Sequence, residues 1–189
     1  ANLSSRKLHT RFPTMGDFVI KPAVSAGSAD SGRYAAGSPR SRGLAIQHAR
    51  RLLDADRTVM VQRYVTSVDV VGETGLVFLA GRFAWAVHRD AMLEGPDTGP
   101  STALRRGHIQ AVDATPAQVA VGEQALAAAA TLIGVPSSRP FLAARVDVVA
   151  ADDGPQVLEL ELTHPSLYAG LVPDGHERVA AAIAVRLQT

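Results

Sequence analysis

With 189 residues, 47% of them hydrophobic, the chain has enough apolar material to build a core, which excludes intrinsic disorder as its general state. It contains no cysteine, which removes disulfide frameworks, thiolate metal sites and cysteine nucleophiles from consideration. A net charge of +1 supplies no chain-wide field for gathering nucleic acid or an anionic membrane, and 5% aromatic content leaves few platforms for stacking bases.

The basic residues lie early: residues 1–57 hold ten Lys or Arg against four Asp or Glu, while 58–189 hold nine against fourteen. The amino terminus lacks the order of a signal peptide, and residues 125–135, the longest apolar stretch, are too few to span a bilayer. A cytoplasmic protein is expected, and the initial Ala1 suggests part of a longer chain.

In chain order, residues 17–22 read as a short strand closed by Pro22. A loop over 25–41 is too polar and too rich in glycine and serine to be expected to pack. Residues 42–54 put Leu44, Ile46, Ala49, Leu52 and Leu53 on roughly one face of an amphipathic helix. Strands are expected over 58–65, 68–80 and 82–89, the last two joined by a tight turn at Ala80 and Gly81. Residues 90–107, with three glycines and two prolines, read as a mobile loop. Thr115 and Pro116 open a helix, with Gln118 completing a capping-box pattern, that runs to Leu132 and stops near Gly134. Its many alanines predict close packing on a sheet. Strands over 141–151 and 155–162 flank Asp152, Asp153 and Gly154, and a last helix spans 175–187. Short turns between neighbouring strands predict an α+β fold, with a largely antiparallel sheet and helices on one face, in one domain over 1–189.

The hairpin over 141–162 carries the chemistry. Alternation puts Val146 and Val148 on one face of its first strand and Leu158, Leu160 and Leu162 on one face of its second. The opposite faces then carry Arg145 with Asp147, and Glu159 with Glu161. A two-residue turn would set Asp147 on the far side from the glutamates. A three-residue loop, 152–154, with Gly154 left-handed and a bulge, pairs Asp147 with Glu159 and buries the apolar residues together. Carboxylates crowded on one face repel unless a cation lies between them, and an all-oxygen donor set suits magnesium. A solvated amphipathic hairpin is the alternative. Lys21 ends the first strand just before the Gly–Ser loop, where an ammonium beside loop N–H groups suits phosphate. Residues 27–34 nearly spell a P-loop, but Arg33 stands where lysine is required and Tyr34 where Ser or Thr would hold magnesium, which excludes a Walker-type ATPase.

In this order the pieces resemble the nucleotide-binding portion of the ATP-grasp superfamily of carbon–nitrogen ligases, over residues 18–167. Lys21 is similar to the family lysine on the α and β phosphates, and residues 25–33, with Gly27, Ser28 and Gly32, to its phosphate-covering loop. Residues 60–65, with Gln62 and Val65, resemble the segment whose backbone binds adenine, and Asp69 stands at the ribose-binding acidic position. Arg145 and Asp147, followed by Glu159 and Glu161, resemble the signature of arginine and metal ligands, Glu161 standing where the family usually has Asn. Residues 25–28 and 158–167 further resemble a bacterial subgroup that includes a D-cycloserine-forming cyclo-ligase. The family's preceding substrate domain and second nucleotide lysine have no counterpart in this sequence, Lys7 lying too near Lys21.

The resemblance implies ATP and two magnesium ions as cofactors, with a small-molecule carboxylate and an amine as substrates. ATP would phosphorylate the carboxylate, and the amine would displace phosphate to leave an amide. Arg145, Lys21 and Arg89 take the catalytic roles, Arg89 orienting the γ-phosphate unless it is a surface arginine. Asp147, Glu159 and Glu161 take the metal. Glu73 reads as a solvated edge glutamate, His164 and His176 as loop histidines, and Trp85 and Tyr168 as packing residues. A rival reading keeps the fold without turnover, as a regulatory nucleotide-binding module. The missing lysine favours it and the carboxylates oppose it. On either reading the 189 residues alone are expected to complete no ligation.

Overall fold

The computed structural model describes residues 12–25, 27–93, 95–97, 108–136 and 140–188. In chain order it forms β1 (Asp17–Pro22), β2 (Gly32–Ala35), α1 (Pro39–Asp54), β3 (Val59–Arg63), the single turn α2 (Val68–Val71), β4 (Glu73–Leu79), β5 (Arg82–Arg89) and β6 (Ile109–Val112). Then come α3 (Pro116–Ile133), β7 (Ala143–Ala151), β8 (Gly154–Glu161), a 3₁₀ turn (Ala169–Leu171) and α4 (Gly175–Leu187). The chain forms two compact units, one of residues 1–66 with 91–107 and one of residues 67–90 with 108–189.

The first unit is a three-stranded antiparallel sheet, β2-β1-β3, with α1 packed on it. Ser38 caps α1 by accepting from the Ser41 amide, and Pro39, which has no N–H to leave unpaired, sits in the first turn. The buried face of α1 carries Ala45, His48, Ala49 and Leu52, packed on Phe18, Ile20 and Tyr34. Leu44, expected on that face, is exposed, and Ile46 and Leu53 are only partly buried. The expected loop over 25–41 also gives way: β2 and the start of α1 occupy its second half, and Tyr34 is buried.

The second unit is a five-stranded antiparallel sheet in the order β6-β5-β4-β7-β8. Strand β6 lies within a stretch for which no strand was expected. Residues 68–71 form a helical turn rather than the start of a strand, and Gly72, at φ 65°, redirects the chain into β4. The Ala80–Gly81 turn has two left-handed residues, at φ 48° and 77°, as a two-residue hairpin requires. On α3 the Thr115–Gln118 capping box and the left-handed Gly134 stand as expected. Leu76, Phe78, Val146 and Val148 face α3, whose buried residues are Gly122 and Leu126. Val77, Trp85 and Val87 face the other way, onto Leu167, Val172 and the α4 residues Val179 and Ala182. The α+β class and antiparallel pairing are borne out, with helices on two faces of this sheet.

Two bulges set the register of the second unit. Val148 pairs with Val157, but Asp147 pairs with Glu159, so Leu158 is an extra residue in β8. Likewise Phe78 pairs with Phe83 and Val77 with Trp85, so Ala84 is extra in β5. The β7–β8 turn has two residues, Asp152 and Asp153, since Ala151 pairs with Gly154. The sequence places the correction in the turn, whereas the structure places it in the strand. Asp147 and Glu159 meet in either case.

Candidate active site

Alternation from this register puts Arg145 and Asp147 of β7, and Glu159 and Glu161 of β8, on the face opposite Val146 and Leu160. Strand β4 contributes Gly75 opposite Asp147. A Cβ there would stand 3.0 Å from Asp147 Oδ1 and 3.2 Å from Arg145 Cδ, so glycine leaves room for both side chains. The Ala84 bulge pairs Glu73 with Arg89 and directs both to the same face.

Asp147 is fully buried and accepts from two guanidinium groups. Arg145 donates to it through Nε (2.7 Å) and Nη2 (3.0 Å), and Arg89 through Nη2 (2.5 Å). Arg145 also donates from Nη2 to Glu161 Oε1 (2.6 Å) and from Nη1 to the Ser166 carbonyl (3.0 Å), with its guanidinium 5.5 Å from the centre of the Tyr168 ring. Tyr168, read as a packing residue, thus also flanks the site. Arg89 Nη2 lies 2.6 Å from Glu73 Oε1 without hydrogen-bond alignment, and Glu73 Oε1 and Arg89 Nε are both buried with no aligned partner. Burial, and then the charges of Asp147 and Glu159, push the Glu73 carboxyl up to about 7 against the pull of Arg89. Burial works against the Arg145 and Arg89 cations, but the surrounding carboxylates outweigh it and both are held above the usual arginine range.

Four carboxylates, Glu73, Asp147, Glu159 and Glu161, thus share this face with two guanidinium groups, which leaves an excess of negative charge for a cation to neutralise. Asp147, Glu159 and Glu161 each offer an oxygen, and the three atoms lie within 4.8 Å of one another. An all-oxygen set of this kind fits magnesium. Asp147 has one lone-pair direction left after its three donors, on Oδ1, where Gly75 places no side chain.

Arg145, Arg89, Asp147, Glu159 and Glu161 are therefore brought together. Glu73 joins them and is 7% exposed, which overturns its reading as a solvated edge residue, and the similarly buried Arg89 is no surface arginine. Asp69 is exposed on α2. Lys21, Gly27, Ser28, Gly32, Gln62 and Val65 belong to the first unit. Lys21 is half-buried in β1 opposite Met60, and Gln62 pairs with Val19 in β3, with Val65 following that strand. Gly27 and Ser28 are left-handed, at φ 60° and 56°, in a series of turns. Gly32 lies in β2, paired with Ile20, rather than in the loop. Arg33 bonds Asp17 (2.7 Å) and stacks 3.8 Å over the Tyr64 ring. His164 and His176 are exposed, and Trp85 is buried, donating to the Leu167 carbonyl. Lys7 lies outside the described residues.

No protein-family profile matches the chain. The cycloserine biosynthesis protein DcsG of Streptomyces lavendulae is 40% identical over 181 residues, which are 93% of this chain and 57% of that protein. The crystal structure of D-cycloserine synthetase DcsG superposes with a TM-score of 0.82 at 38% identity, over 97% of this chain and 60% of that one. D-alanine–D-alanine ligase from Bacillus anthracis, complexed with ATP, reaches 0.60 at 12% identity, over all of this chain and 56% of that one. The ATP-grasp ligase PsnB, complexed with a phosphomimetic precursor variant, Mg and ADP, reaches 0.52 at 20% identity, over 95% and 49%. At those identities the last two share the fold alone. The chain spans less than two thirds of the length of each of these proteins.

Proposed function

We propose that this chain, which carries the ATP-grasp fold and is a homologue of a cycloserine-biosynthesis protein, is the nucleotide- and magnesium-binding portion of an ATP-dependent ligase. The ligase joins a small amino-acid-like carboxylate to an amine. The observation that carries this reading is the cluster of Asp147, Glu159 and Glu161 beside two buried guanidinium groups. The second unit carries the proposed metal ligands, and the first carries Lys21 and residues 25–33, the proposed phosphate contacts.

Asp147, Glu159 and Glu161 would hold two magnesium ions, which when bound neutralise phosphate charge and orient the transferring group. The carboxylate oxygen of the substrate takes the γ-phosphoryl group and ADP leaves. The amine then attacks the acyl carbon, phosphate leaves and an amide remains. No protein nucleophile enters, so the protein's part is orientation and charge. Arg145 spends its donors on Asp147, Glu161 and Ser166 and thereby fixes the carboxylates. Arg89, whose Nε has no aligned partner, is the better placed to meet phosphoryl oxygen. Lys21 offers a point charge to the phosphates. ATP as a substrate is consistent with the cytoplasm. The test is ADP release and amide formation by the protein over a panel of amino-acid carboxylates and amines, with and without EDTA. Since residues 1–189 alone are expected to complete no ligation, the separating readout is carboxylate-dependent ADP release, and metal-dependent nucleotide binding with no ADP release for any pair would establish the regulatory module instead.

A further inference from the structure

Residues 95–97 run along the outer edge of β2. The Arg33 amide donates to the Gly95 carbonyl (2.9 Å), and the Asp97 amide donates to the Tyr34 hydroxyl (3.2 Å). Gly32 permits this approach, since a Cβ there would stand 2.5 Å from the Asp97 nitrogen and 2.7 Å from the Tyr34 hydroxyl. The demand for glycine at 32 therefore comes from docking of this segment.

Helix α1 supplies two side chains beneath it. Arg51 divides its guanidinium, Nη1 donating to Asp30 Oδ1 (2.9 Å) and Nη2 to Asp97 Oδ2 (2.6 Å). His48 is buried, with Nε2 3.0 Å from the Asp30 carbonyl and Nδ1 2.8 Å from the Tyr34 hydroxyl. A carbonyl can only accept, so Nε2 carries the proton and Nδ1 accepts from Tyr34, whose oxygen in turn accepts the Asp97 amide. The His48 Nε2–H, the Tyr34 hydroxyl and the Asp97 amide then each have an acceptor, and the chain closes with neutral His48. Burial holds the His48 pKa below the usual histidine range, Asp97 opposing and Arg51 assisting. Burial likewise raises the Tyr34 hydroxyl to about 12.

We propose that Arg51, seated beside His48 and Tyr34, is a positioning residue that clasps residues 27–31 to residues 95–97, so that neither segment rearranges alone. A planar fork can serve two carboxylates at once, where the compact lysine ammonium cannot hold the same geometry. The clasp itself stands on the contacts above. Its bearing on catalysis rests on the reading that residues 25–33 cover the phosphates, in which case Arg51 sets where that loop stands before nucleotide arrives.

Hydrogen exchange on the full chain, without nucleotide, tests the clasp. Asp97→Asn is read at the Ser31 amide, which donates to the Ser28 carbonyl, and Asp30→Asn is read at the Asp97 amide. In each case the segment that was not altered should exchange about tenfold faster or more, the measure of one lost charge-assisted hydrogen bond, while the β1 and β3 amides keep their rates. A wild-type rate in the unaltered segment, or faster exchange across the whole sheet, would overturn the proposal. Arg51→Lys should weaken magnesium-ATP at least severalfold and leave adenosine unchanged. Unchanged ATP affinity would overturn the positioning role. A wild-type protein that binds no magnesium-ATP would sink the functional reading alone, with the exchange arms still deciding the clasp.

Discussion

Asp147 and Glu159 face each other across two strands but differ in what depends on them. Asp147 is fully buried and neutralises Arg145 and Arg89, so Asp147→Asn leaves two buried cations undercompensated and should cost about 3–5 kcal/mol. Glu159 is half-buried, and Glu159→Gln should remove metal-dependent nucleotide binding with little loss of stability. Denaturation followed by Trp85, the sole tryptophan and a core residue of the second unit, together with magnesium-ATP titration, separates the two. Equal stability of both variants would contradict this account of Asp147, and unchanged affinity in Glu159→Gln would remove it from the metal site. Lys21→Ala should weaken ATP but not adenosine, by about 1.5–3 kcal/mol, roughly ten- to hundredfold. Equal losses for both would make Lys21 a residue of the fold. Glu73 gives a pH signature. Its folded pKa is raised, so its contribution to stability is present below its unfolded value and is lost as pH rises through about 7. Denaturation midpoints between pH 5 and 8 should fall more for the wild type than for Glu73→Gln. Parallel profiles would show that Glu73 ionises freely.

At the scale of elements, α3 approaches its sheet through Gly122, where a Cβ would stand 2.8 Å from the Phe78 ring and 2.9 Å from Leu76. Gly122→Val should therefore cost about 1–3 kcal/mol through overpacking, measured as a lower denaturation midpoint with an unchanged slope. The close packing expected of the alanines centres on Gly122 and Leu126, the buried residues of α3. Elements whose signals are local were legible: both ends of α3, the Ala80–Gly81 turn, the bounds of α4, and the hairpin that assembles the carboxylates. Those that exist through pairing were not. Strands β2 and β6 have four residues each, too few for a period, and are held by β1 and β5. Val68, Val70 and Val71 carry a strand-like composition, but the backbone turns there because Gly72 can take a positive φ. Glu73 was misread for a related reason. A straight ladder counted from the turn pairs it with His88, and the bulge at Ala84 moves it to the buried Arg89.

Taken whole, the chain matches a relative along nearly all of its length and carries its proposed ligands in two separately compact units. Magnesium-ATP at a hundred times its dissociation constant should stabilise the protein by about 2.7 kcal/mol. The melting temperature would rise by roughly 5–10 °C. EDTA should remove most of that rise, and adenosine should give a smaller one that EDTA leaves alone. A rise indifferent to EDTA would argue against the metal assignment. The bulge at Leu158 has a consequence for length rather than chemistry. It is one residue of slack, stored between a surface turn and the acids. Deleting Leu158 would straighten β8 while leaving Val157 opposite Val148 and Glu159 opposite Asp147. Deleting Leu160 displaces an acid in either register: with the bulge kept, Glu161 leaves Arg145 for the apolar layer, and with the bulge absorbed, Glu159 leaves Asp147 for it. The outer end of this hairpin can therefore shorten by a residue in the course of descent, while the carboxylates keep their address.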